Sequence, residues 1–574
     1  MDTFPLPTSE REIRKIALDL IEECRHTAGI RASYARVINQ IIETGKQDGG
    51  KSLMNLLYMH MDRFAAHLYS PTDLRFVIDF ENEYPEAILD RGKVAARLLT
   101  RTWERNNTDI VFGTGVFEAG KYGACVLKQW VTQDGPERKP RYNRRLVMPW
   151  QFGVWREDEN EISNQTVLCE TTLLTMPEVW QRIYDMEGAQ NLFHKIQKAS
   201  AKEQASEVNQ SFFHQVLSSS TLQTTSPAIP RPGGIVNFGN DPNYAIMQPE
   251  VITPMAKLHE LWVQDEGDYT TIQLIEPDIL IEPRGKKRNL LIDGEHHTHL
   301  HPYTLIQPNV VAGYFWGRPE IVDLIEPQTF LSTTADDVRR LFGLQVDKII
   351  GLVGFDGLTD EIYDQQRAAG YISAPPGAVI NDITPEFPPQ AIPLIQELVQ
   401  IVNMIGGFPP IMQGQGEAGV RAGVHANTLM KTGSPTLRDR SLLVERQCAV
   451  AADLTLTLKE AKDDSNFWTK GKNIEEMHKT SFKLTDLPHD WRVAVDSHSS
   501  SPIFQDDHAQ LIAFGVKAGF IDGHSAIDML PFPQKELLHA RLTKKEEEQA
   551  ALMKQHPELL AQLLKRGSGG GRMR

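Results

Sequence analysis

A chain of 574 residues with 41% hydrophobic and 24% charged side chains has the balance of a folded protein with room for two to four domains, which excludes a disordered scaffold. Its 60 basic and 75 acidic residues leave a net charge of −15, which excludes a broad grip on nucleic acid, because that task needs clustered Lys and Arg to displace counterions. An acidic wall past which DNA slides stays open. Four scattered cysteines, Cys24, Cys125, Cys169 and Cys448, match neither a disulfide framework nor a zinc ribbon and fit a reducing compartment. The segment MDTFPLPTSEREIRK has no basic stretch followed by an apolar core, and no apolar run is long enough to cross a bilayer, so the sequence predicts a soluble chain without a classical export signal and without membrane contact.

Ser9 and Glu12 have capping-box spacing ahead of Ile13, Ile16, Ala17, Leu20 and Ile21, and helical periodicity recurs at about 31–44, 52–68 and 85–105. After Asn107 come glycine-punctuated runs, FGTGVFEAGKYGACVLKQWV, and then the β-branched and aromatic RRLVMPWQFGVWREDENEISNQTVLCETTLLT, which predict strands followed by a short helix near 176–197. From Ser200 to about Asn243 the chain is rich in Ser, Gln, Thr, Pro and Gly, the composition of a long mobile loop. Strands resume after Pro249, with a basic hairpin tip at Arg284, Lys286, Lys287 and Arg288.

The stretch from Gly313 to Phe342 reads as one long helix. Pro319 suits an N-terminal helical position, and Ile321, Leu324, Ile325, Leu331, Val338, Leu341 and Phe342 recur at three- and four-residue spacing. Glu320, Asp323, Glu326, Asp336 and Asp337 occupy the other side, so the apolar stripe is expected to lack a partner within one chain and to stand beside the same helix of other copies. Pro327 is expected to kink or restart it. QVDKIIGLVGFDG then reads as a strand and turn, residues 359–369 as a second helix, and YISAPPGAVINDITPEFPP as a connector without regular structure. Ile392, Ile395, Leu398, Val399, Val402 and Ile405 mark an amphipathic helix that stops at Gly406-Gly407-Phe408-Pro409-Pro410, and another begins after Pro435 with Leu437, Val444, Cys448, Ala451 and Leu458 on one side. A helical pair around Gln505–Leu530, a charged helix and the flexible GSGGG follow.

Three motifs carry chemistry on paper. GVFEAGKY at Gly115–Tyr122 has P-loop spacing but ends in Tyr122 where magnesium needs a Ser or Thr, and it reads as a turn between strands. Gly414, Gly416 and Gly419 have dinucleotide-fingerprint spacing without a preceding strand, and read as a glycine loop. His297, His299 and His301 share one face of a strand within Asp293–His301, which fits either a transition-metal site, the basis of a metal-dependent hydrolase reading, or a polar strand edge. No nucleophilic triad stands out, so the sequence predicts neither a catalytic set nor a cofactor. Basic clusters at Arg138–Arg145 and Arg284–Arg288 read as solvated loops or as contacts for DNA phosphates or an acidic neighbour, and Arg339 and Arg340 join the second reading.

Laid out in this order, the chain resembles the portal proteins of tailed bacteriophages. The likeness rests on VMPWQFGVWREDENEIS, on YFWGRPEIVDLIEPQTFLSTTADDVRRLF as a first stem helix, on DKIIGLVGFDG as a clip and on DEIYDQQRAAG as a second stem helix. PPGAVINDITPEFPPQAIPLIQELVQIVNMIGGFPPIMQGQ is similar to a tunnel loop and wing helix, and TLMKTGSPTLRDRSLLVERQCAVAADL to the helix that returns to the wing. The resemblance implies an α+β, multidomain portal fold: a wing over 1–316, a first stem helix over 317–344, a clip over 345–358 and a second stem helix over 359–370. A tunnel loop over 371–390, wing helices over 391–500 and a helical crown with a flexible tail over 501–574 complete it. It further implies a homo-oligomeric ring, commonly of twelve, at one capsid vertex of the virion, assembled in the host cytoplasm. Double-stranded DNA would pass through it, and terminase, capsid or scaffold, and tail or neck proteins would dock on it. A virion adaptor that forms no ring is the remaining alternative.

Overall fold

The computed structural model describes residues 9–46, 54–70, 74–132, 140–210, 255–265, 268–282, 301–346, 350–353, 379–407, 435–462, 465–468, 481–488, 490–495, 512–523 and 541–545, with isolated positions elsewhere. It is an α+β chain. Helices α1 (Glu10–Arg25), α2 (Ala28–Thr44) and α3 (Leu57–Leu68) precede β1 (Phe76–Phe80), α4 (Glu86–Arg105) and α5 (Thr108–Tyr122). Strands β2 (Cys125–Thr132), β3 (Arg141–Val147), β4 (Phe152–Val154) and β5 (Val167–Thr175) follow, then α6 (Met176–Ile183), α7 (Ala189–Gln210), β6 (Met255–Asp265), β7 (Asp268–Ile275), β8 (Ile279–Glu282) and β9 (Tyr303–Ile306).

Two antiparallel sheets form the β part, one in the order β3-β2-β9 and one in the order β4-β5-β6-β7-β8. The larger sheet is covered on both faces. Ile13, Ala17, Leu20 and Cys24 of α1 pack on Val167, Cys169, Leu261 and Val263, while Leu168 and Trp262 meet Val126, Tyr303 and Phe315 on the other side. That double burial explains why β5 begins with VLC rather than with alternating polar residues. A short helical layer of α6 and α7 closes one end over Leu174, Leu258 and Ile275. Ser9 does start α1, but its side chain makes no capping bond; the capping geometry belongs to α6, where the Glu178 carboxylate accepts from the backbone N–H of Thr175 at 2.7 Å and from its hydroxyl at 2.8 Å.

The P-loop-like segment corrects an expectation. Residues 115–122 form the second half of α5 and not a turn between strands, and the turn comes at Gly123, whose φ of +95° and close approach to the Trp316 carbonyl demand a residue without Cβ. Gly115 and Gly120 lie on buried faces of this helix against Ile306 and Phe64, so the glycines serve packing and present no amides to a phosphate.

The helical core gathers α2 to α5 with three later helices: α8 (Val322–Val346), α9 (Ala391–Ile405) and α10 (Pro435–Lys462). Between α8 and α9 lie β10 (Ile350–Val353) and β11 (Val379–Asp382), paired antiparallel with Ile350 opposite Asp382. The connector expected to be irregular thus contributes a strand. Two further pairs, β12 (Phe467–Trp468) with β13 (Ser481–Phe482), and β1 with β14 (Trp491–Val495), finish the described sheets. Among the described residues no helix is long and apolar enough to cross a membrane.

Candidate functional site

Helix α8 is anchored in the body at its start and grows more exposed toward its end. The Glu320 carboxylate accepts from Arg440 of α10 at 2.7 Å and from Asn309 at 3.0 Å, and the Glu320 backbone N–H donates to the Gly120 carbonyl at 2.8 Å. Ile321, Leu324 and Leu331 are then buried in the main core, and Ala335 is buried beyond them. Two polar residues share that buried stripe without penalty: Gln328 donates to the Met54 carbonyl at 2.7 Å and accepts from the Leu56 N–H at 3.1 Å, and Ser332 donates to the Gly45 carbonyl at 2.8 Å. Pro327 sits inside a helix that runs on unbroken to Val346, so the expected restart does not occur.

This corrects the expectation that the whole stripe lacks a partner within one chain. Ile321, Leu324 and Leu331 are covered by the chain itself and Ile325 is half-buried; coverage then fades through the half-buried Val338 and Leu341, until Phe342 is 63% and Val346 67% exposed. The stripe continues past the point where its cover stops.

Helix α9 returns alongside. Its end lies at Gly406, where a Cβ would collide with His60 of α3, and its start lies near the end of α8, where the Gln345 amide donates to the Pro385 carbonyl. The two helices pack on each other and are therefore antiparallel, with the β10–β11 pair at their far end. Leu398 and Val402 face the core, yet Ile392, Leu394, Ile401, Met404 and Ile405 are exposed, Met404 by 73%. A helix that is apolar on nearly every side is ordinarily enclosed. One side of α9 is covered by α8 and the body, while Ile392 and Leu394 near its start and Ile401, Met404 and Ile405 near its end are exposed to solvent. Val353, Val379 and Ile383 extend the same character to the β pair.

The other expected sites fare differently. His301 is buried, accepts from the Tyr303 N–H at 3.3 Å and stacks edge-on to Tyr269, so it is a core histidine. His297 and His299 lie outside the described residues, as do Arg284, Lys286, Lys287, Arg288, Arg138, Lys139, Gly414, Gly416 and Gly419. Among the described residues no group of three metal-capable side chains occurs. Arg339 and Arg340 are exposed on α8, with Arg340 3.6 Å from Asp337. Arg145 turns inward instead, pairing with Glu170 and donating to Thr172 at 2.8 Å.

That inward arginine belongs to a buried ionic knot that sequence reading missed. Lys128 donates to Glu170 at 2.6 Å and to Glu260 at 2.8 Å, Tyr303 donates to Glu170 at 2.8 Å, and the Trp262 indole donates to Glu260 at 2.9 Å. Burial pushes the Glu260 carboxyl up, but the Lys128 ammonium and the Trp262 donor outweigh it and hold the group below its ordinary value. Both carboxylates are already bound by donors, so the knot is built to join the two sheets rather than to abstract a proton. The signal was available only as polar residues, Lys128, Glu170 and Glu260, inside otherwise apolar strands.

No protein-family profile and no curated protein matches the chain.

Proposed function

We infer that the chain is a portal-type subunit, one of a ring of identical copies at a capsid vertex through which double-stranded DNA is packaged and ejected. The observation that carries this reading is the arm formed by α8, the β10–β11 pair and α9: an antiparallel two-helix unit tipped by a small β element, rooted in an α+β body and apolar on the faces the body leaves open. Sister arms would cover those faces, and a head-to-tail contact repeated around an axis closes a ring. In this reading α8 is the first stem helix and β10 belongs to the clip, while its partner β11 comes from the segment expected as the tunnel loop. The second stem helix over 359–370 and most of the crown over 501–574 fall largely outside the described residues; α9, expected as a wing helix, serves in this reading as the arm's second helix, and α10 stands for the wing helices.

The acidic balance of the chain fits a channel that DNA must slide through without sticking. Terminase and neck proteins would dock at the ring's two ends, and its place would be the virion. The test is negative-stain microscopy with mass photometry of the purified full chain. Closed rings with a central channel are expected; monomers, or oligomers without a channel, would overturn the portal reading and favour an adaptor.

A further inference from the structure

The face of α4 turned away from the core carries Lys93, Arg97, Arg101 and Arg105, all exposed and each four residues after the last. Such spacing aligns the four cations in a single row, about 6 Å apart and about 18 Å from end to end. Between Arg91 and Arg105 the sequence holds five cations and one carboxylate, Glu104, in a chain whose overall charge is −15. Lys93 is 3.1 Å from Asp90, but Arg97, Arg101 and Arg105 have no ion-pair partner among the described residues.

A solvated helix face does not favour this pattern. Opposite charges at four-residue spacing stabilise a helix and like charges destabilise it by similar amounts, so three successive like-charged pairs work against α4 in isolation. The helix dipole welcomes cations only in the last turn, and Lys93 and Arg97 lie well before it. What offsets such a row is a linear polyanion laid along it. Three of the four are arginines, whose planar guanidinium matches a phosphate with two parallel hydrogen bonds. No aromatic side chain interleaves them on the exposed face, so the row suits phosphates and offers no platform for stacking bases.

We propose that the exposed row Lys93-Arg97-Arg101-Arg105 on α4 is a binding site for the phosphate backbone of nucleic acid, read without regard to sequence. The site lies on α4 and not on the arm, so it stands apart from the ring: a chain that binds a duplex without forming rings, or forms rings without binding a duplex, separates this proposal from the portal reading.

The experiment is fluorescence anisotropy of the full chain with two labelled DNA duplexes of unrelated sequence across a salt series. Equal affinity for both is expected, and the double substitution Arg97→Gln/Arg101→Gln should weaken binding about tenfold or more at low salt and lower the slope of log affinity against log salt by about 2. Arg97→Lys/Arg101→Lys should retain most of the slope. Arg11→Gln/Lys15→Gln, on the exposed side of α1, makes the same change in net charge and should leave binding unaltered. Unchanged binding by the α4 variant, an equal loss in the α1 control, or tighter binding to polyglutamate than to either duplex would each overturn the proposal, the last by marking the row as a dock for an acidic protein.

Discussion

Glu460 shows what burial does to a single charge. It sits near the end of α10, 8% exposed, and burial together with the nearby Asp453 pushes its carboxyl up to about 7 from an ordinary 4.5. The folded chain therefore holds that proton more tightly than the unfolded chain does. Its contribution to stability is full below pH 4.5 and is lost as pH rises through about 7. Glu460→Gln removes the penalty of an ionised buried carboxylate, so its thermal midpoint should exceed that of the parent chain at about pH 8 and match it at about pH 4. Scanning fluorimetry at the two pH values decides this; a variant that is no more stable than the parent at the higher value contradicts the assignment. Nothing in the local sequence LTLTLKEAK announces this, because a Glu near the end of an amphipathic helix reads as solvated. The same blindness hid the knot of Lys128, Glu170 and Glu260, whose members come from β2, β5 and β6 and meet only once two sheets are stacked. His301 misleads for the opposite reason: it reads as the last member of the polar run from Asp293, while in space it packs against Tyr269 from a distant strand and against Tyr303.

At the scale of elements, spacing located most of the helices but missed α5, whose glycines read as a turn between strands, and it said little about what covers them. The periodic stripe of α8 was legible from Ile321 to Phe342, yet its coverage depends on Gly45, Met54 and Leu56, nearly three hundred residues earlier, which supply the hydrogen bonds that let Gln328 and Ser332 sit in the core. In the α9 sequence, AIPLIQELVQIVNMI, the telling feature was not the stripe but the shortage of polar residues to face water. This division of α8 makes a sharp contrast between two substitutions. Leu331→Ala opens a cavity in the core and should lower unfolding free energy by about 2–5 kcal/mol in denaturant titration. Phe342→Asp changes an exposed position and should shift the stability of the body by no more than about 0.5 kcal/mol, while eliminating assembly in mass photometry. If Phe342→Asp destabilises the chain as much as Leu331→Ala, or still assembles, the exposed end of α8 is not an interface.

At the scale of the whole molecule, two opposed terms would govern assembly of the proposed ring. Each copy carries a net charge of −15, so bringing several together raises their mutual repulsion, while covering the arm's Phe342, Val346, Ile401 and Met404 removes apolar surface from water. Salt acts on the first and hardly on the second: the screening length shrinks from about 10 Å at 0.1 M to about 3 Å at 1 M. An assembly held by the apolar arm should therefore persist, or increase in fraction, as sodium chloride rises over that range, and excluded salts such as sulfate should favour it further. Binding of nucleic acid by α4 must move the other way, since it depends on counterion release. Sedimentation velocity of the unlabelled chain alongside anisotropy with the duplex reads both trends from one salt series. Dissociation of the oligomer by 1 M salt would mean that ion pairs, and not the apolar face of α8 and α9, hold the copies together, and the arm would lose its role as the assembly surface.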